Sequence, residues 1–120
     1  MKTNRQTIFA ISAALFLIAA VFHLYGLLLS GGDPKLMAFH GAFVVIDPLT
    51  ASFLLKRPGW FPYAFAVLTV QQIYSHGTDA LTAWRADSRV DVISLFIIVF
   101  MPALLALLIY DAVNRKTESP

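Results

Sequence analysis

The stretch from Thr7 to Leu29 carries no Asp, Glu, Lys or Arg, and it decides most of what this chain can be. Wound as a helix at about 1.5 Å per residue it is roughly 34 Å long, against a bilayer hydrocarbon core of about 30 Å. Three further apolar runs follow, at about Leu36 to Leu55, Trp60 to Trp84 and Val90 to Val113. Breaks separate them at Ser30-Gly31-Gly32-Asp33-Pro34, at Lys56-Arg57-Pro58-Gly59 and at the charged interval 85–89, and a polar tail, Asn114 to Pro120, closes the chain. The pattern predicts an all-α fold with one transmembrane domain over residues 1–120, an integral membrane four-helix antiparallel bundle whose short loops join neighbouring helices.

Composition agrees. Of 120 residues 58% are hydrophobic, more than a soluble domain of this size buries, and only 13% are charged, clustered between the apolar runs. The net charge of +2 forms no basic patch, so nucleic acid is not an expected partner and the lipid bilayer is. With no cysteine, disulfides, thiolate metal sites and cysteine nucleophiles are excluded. The opening Met-Lys-Thr-Asn-Arg resembles the head of a secretory signal, but the apolar run behind it is too long for a signal core, and an uncleaved anchor is expected.

Basic residues set the orientation. Lys2, Arg5, Lys56, Arg57, Arg115 and Lys116 fall on one side, and Lys35, Arg85 and Arg89 on the other. The positive-inside rule then places both termini in the cytoplasm, in a membrane expected to be the bacterial inner (plasma) membrane. Trp60 and Trp84 bracket the third span as interfacial belts, and Tyr25, Tyr63 and Tyr110 suit the same role, whereas Tyr74 lies deeper. Asp111 falls at the cytoplasmic boundary, where a solvated carboxylate is expected. Pro48 and Pro102 lie inside helices two and four, each removing a backbone donor and predicting a kink. The halves hint at a repeat, since His23 precedes Pro48 by 25 residues and His76 precedes Pro102 by 26.

The chemistry rests on polar residues within the spans. A charge at the bilayer centre costs at least about 2.5 kcal/mol, so such residues face protein or water. All three histidines lie in spans. On the predicted topology His23, His40 and His76 reach one level in the outer half, with Asp91 near them and Asp47 about 10 Å deeper than His40. Thr69, Gln72, His76 and Asp79 form a polar stripe on helix three with Ser75 at its edge, and Ala19, His23 and Gly26 share a face of helix one.

Imidazole and carboxylate donors suit zinc, iron, manganese or copper, so the leading expectation is a divalent metal held by His23, His40 and His76. Asp79 would be the fourth ligand or its orienting partner. An open coordination position would make the site a membrane-embedded metalloenzyme, with Asp79 and Asp47 as catalytic carboxylates. Three alternatives stand beside it. Asp47, next to a helix proline, fits a proton- or ion-coupled small transporter. A haem between His23 and His76 fits less well because of the acids at that level. Interhelical hydrogen bonds that only fix register, worth about 0.6 kcal/mol each, would make the chain a structural accessory subunit. Homo-oligomers and larger membrane complexes are compatible with so small a bundle. Asp91 in a first helical turn is ordinary capping chemistry. Ser75 and His76 diverge by about 100° around the helix, which excludes a serine–histidine pair there.

Overall fold

A computed structural model describes residues 2–117, with side chains from residue 4. The described chain is all-α: α1 spans Lys2–Leu28, α2 Pro34–Lys56, α3 Phe61–Asp87 and α4 Val92–Thr117. Each expected span is a helix, with ends shifted by a few residues. The largest shift is at the start of α1, which begins at Lys2 rather than Thr7, and at the other end Asn114 to Thr117 extend α4, so that this part of the expected polar tail is helical. Residues 118–120 of that tail lie outside the described residues, as does Met1.

The breaks act through specific backbone chemistry. Gly31 and Gly32 adopt φ of 61° and 84°, a left-handed conformation that glycine accepts without a Cβ penalty, and the chain leaves α1 there. Asp33 then caps α2, its Oδ1 accepting from the backbone N–H groups of Lys35 at 2.8 Å and Leu36 at 3.3 Å, while Pro34 takes the first helical position. At the far end of α2, Arg57 turns left-handed at φ 50° and donates its N–H to the Phe53 carbonyl before Pro58. Ser88 ends α3 the same way, at φ 52°, donating to the Trp84 carbonyl. Both helices run through their internal prolines, Pro48 and Pro102.

The chain divides into two compact units, residues 1–58 and 59–120. In the first, α1 packs on α2, with late α1 against early α2 (His23 on His40) and early α1 against late α2 (the Phe9 ring under the Arg57 guanidinium, 5.2 Å from its centroid). In the second, α3 packs on α4. The buried residues of α1 and α2 lie on one helical face, with turn-to-turn steps of three or four: Phe9, Ser12, Ala13 and Phe16 on α1, and Phe43, Asp47, Thr50, Ala51 and Leu54 on α2. On α4 the stripe is Ser94, Met101, Leu104, Leu108 and Asp111, while α3 buries Phe61, Phe65, Thr69 and Ala83.

The opposite faces are apolar as well. Val21 and Phe22 on α1, Tyr63, Val67, Val70 and Tyr74 on α3, and Ile93 and Val99 on α4 are all exposed. A water-facing helix would carry polar residues at those positions, and lipid suits them. α1, α2 and α4 are long and apolar enough to cross a membrane. α3 has the length, but Gln71, Gln72, Ser75, His76, Thr78 and Asp79 dilute its apolar content.

Asp111 corrects the expectation of a solvated boundary acid. It is 3% exposed, in register with Leu104 and Leu108, and it pairs with Arg115 one turn on at 2.8 Å.

Candidate functional site

In the first unit, helical spacing places His23 and Gly26 on one face of α1, and Phe39, His40, Phe43 and Asp47 along α2. The His23 and His40 rings meet through their Nδ1 atoms at 3.1 Å, sharing one hydrogen bond. The other nitrogen of the same ring, His23 Nε2, lies 3.7 Å from Asp47 Oδ2. One imidazole therefore bridges a second histidine and a carboxylate. Its orientation is set by aromatic neighbours: Phe43 stacks on the His23 ring at 4.9 Å between centroids, and Phe39 meets its edge at 5.8 Å. The line runs inward, since the His23 side chain is 23% exposed and Asp47 is 3% exposed. Asp47 Oδ2 is buried with no hydrogen bond among the described residues, an arrangement that costs free energy unless the histidine beside it supplies charge or a proton.

In the second unit, Asp91 stands just before α4 and its Oδ1 accepts the Ser94 backbone N–H at 3.1 Å. The Ser94 hydroxyl donates to Asp91 Oδ2 at 2.8 Å. These bonds, the backbone one first, hold the Asp91 carboxyl below the usual carboxylate range. Because the single Ser94 hydroxyl hydrogen is committed to Asp91, the 3.0 Å contact with His76 makes Ser94 the acceptor, and the His76 proton sits on Nδ1.

The units repeat a layout. Each begins with a helix of 27 residues, each joins a histidine of that helix to the residue lying eight before the proline of the next, and each has a buried residue just before that proline. That last residue is Asp47 in the first unit and Met101 in the second. Only the first unit therefore has an acid at its deep position.

Thr69 donates to its own-helix carbonyl at Phe65, and Gln72 donates to neighbouring Gln71. Ser75 is partly buried, and Asp79 is exposed. Among the described residues no three His, Asp or Glu side chains are grouped to hold a metal ion. Sequence reasoning missed Phe39 and Phe43 as ring-orienting residues; the usable signal was their spacing of one and three from His40, with Phe43 one turn before Asp47. Neither the family models, the characterised proteins nor the solved structures contain a match to this chain. The fold and site therefore define the class by themselves: a small helical protein whose apolar helices suit a membrane and whose first helix pair carries a histidine–histidine–aspartate line.

Proposed function

We propose that the chain crosses the bilayer four times as an antiparallel bundle with both termini cytoplasmic, and that His40, His23 and Asp47 carry a proton between the outer half and the interior of the first helix pair. This makes it a proton- or ion-coupled carrier. The observation that supports the reading is the use of both His23 nitrogens, one toward His40 at 3.1 Å and one toward Asp47 at 3.7 Å.

The transfer balances as follows. With Asp47 protonated, its hydroxyl faces a lone pair on His23 Nε2, and His23 Nδ1–H donates to His40 Nδ1. Moving the Asp47 proton to Nε2 and the His23 Nδ1 proton to His40 leaves a carboxylate, a neutral His23 in its other tautomer and a His40 imidazolium. One positive charge has gone to the outer histidine and no atom is left over. The 3.7 Å step shortens to about 2.8 Å, or takes a bridging water, when the proton moves. The test is acidification of the lumen of liposomes holding the purified protein under an imposed potential. Protein-free liposomes set the background, and a rate no higher than theirs rejects the reading.

A second reading has one observation in its favour. Two imidazole nitrogens 3.1 Å apart nearly match the edge of a metal coordination tetrahedron, and a carboxylate on the far nitrogen of a ligating histidine is a common orienting arrangement. Zinc or copper would then sit between His23 and His40, with Asp47 orienting His23 and further ligands needed from elsewhere. Elemental analysis decides it: stoichiometric metal lost in a His23→Ala, His40→Ala double variant supports this reading, and metal-free active protein removes it.

A further inference from the structure

We propose that Gly26 is a positioning residue that seats the His40 imidazole against His23. A Cβ built on Gly26 would lie 2.7 Å from His40 Cε1 and 2.9 Å from both Nδ1 and Nε2. These three atoms are one continuous edge of the ring, so that edge occupies the volume any other residue at 26 would fill. Gly26 is one turn beyond His23 on α1, and together they form a notch: the missing side chain at 26 admits the ring, and the imidazole at 23 meets its Nδ1. The helix places no left-handed demand on this position, so backbone freedom does not explain glycine here; the ring does. Gly41 and Gly77 are the contrast, since a Cβ at either meets nothing within 4 Å.

The consequence for proton flux rests on the relay proposed above, whereas the seating itself does not. An alanine at 26 pushes the ring outward and opens the Nδ1 contact without altering any titratable group. The experiment compares Gly26→Ala, His40→Ala and their double variant, with Gly41→Ala and Gly77→Ala as controls. It reads the thermal midpoint in detergent, the imidazole 15N signals and the liposome flux.

The midpoint is expected to fall in Gly26→Ala but not when the same change is made in the His40→Ala background, where no ring remains to displace. The His23–His40 15N signature is lost in Gly26→Ala, and flux falls about ten- to a hundredfold, the scale of an ångström misplacement. The controls keep the parental flux and hold or raise the midpoint, as alanine favours a helix over glycine. If Gly26→Ala does not fold, recovery of folding in the double variant supports the seat and failure to recover overturns it. An equal midpoint loss in both backgrounds, or a 15N signature that survives Gly26→Ala, also overturns it. Loss of the signature in a parent protein that shows no flux rejects the relay and leaves the seat standing.

Discussion

Asp47→Asn separates a carboxylate that moves protons from one that holds helices together. The carboxamide has nearly the shape of the carboxyl, so no cavity opens around a residue only 3% exposed. An ionised pair at the 3.7 Å separation from His23 attracts by about 4.5 kcal/mol at an effective dielectric constant of about 20. Withdrawing the two charges from water costs several kcal/mol per ion, which offsets that attraction. In the relay's starting state, with the proton on Asp47 and His23 neutral, asparagine strands no buried charge, so the net change in unfolding free energy is expected to stay within about 1.5 kcal/mol, as for other shape-conserving changes. Flux behaves differently, because asparagine neither accepts nor releases the proton. A loss of about 10² to 10⁴ is expected, the usual contribution of a positioned acid–base group. Dye-reported proton uptake in liposomes measures the rate, denaturant unfolding in mild detergent measures the stability, and Asp47→Glu, still titratable, recovers part of the flux. Parental flux in the asparagine variant would refute the reasoning. So would a loss of flux accompanied by a stability loss of 3 kcal/mol or more, the scale expected when one partner of a buried pair is removed.

Three further outcomes follow from other parts of the molecule. Asp33→Ala removes the side-chain cap of α2 and is expected to lower stability by about 1 kcal/mol in denaturant unfolding, with Asp33→Asn close to the parent. Arg115→Ala deprives buried Asp111 of its 2.8 Å partner; since the arginine side chain is 41% exposed, the loss is expected near 1–3 kcal/mol by the same measurement, below the figure for a wholly buried pair. The depressed Asp91 carboxyl contributes stability that is fully present above its unfolded value near 3.8 and is lost as pH falls through its lower folded value. Ser94→Ala weakens that depression, so the acid limb of a thermal-midpoint profile shifts upward in pH, and an unshifted limb would show that the hydroxyl contributes nothing.

The helices were legible because their breaks are chemical: glycines with positive φ, a capping aspartate and prolines stop the chain where the sequence places them. The shared level of His23 and His40 was legible too, since a short loop returns α2 along α1 and brings a late residue opposite an early one, but their direct Nδ1–Nδ1 contact was not. Facing was harder to read. Asp111 looked solvated because it lies near the chain's end, yet distance along a helix says nothing about which side a residue occupies; its spacing of three from Leu108 and seven from Leu104 carried that information. Phe39 and Phe43 were invisible as ring-orienting groups because an aromatic residue in an apolar run has many uses and only three-dimensional contact selects one. Asp79 shares a helix face with His76 by spacing and is exposed, and periodicity alone does not say what it meets.

The weaker apolar content of α3 has a consequence for how such a chain is made. On the proposed four-span topology, α1 and α2 leave the ribosome before α3 and α4 and are each apolar enough to enter lipid, and His23, His40 and Asp47 meet within the pair. α3 arrives with His76 unmatched until Ser94 is synthesised eighteen residues later. If the proposed four-span topology holds, α3 is expected to enter the membrane together with α4 rather than ahead of it.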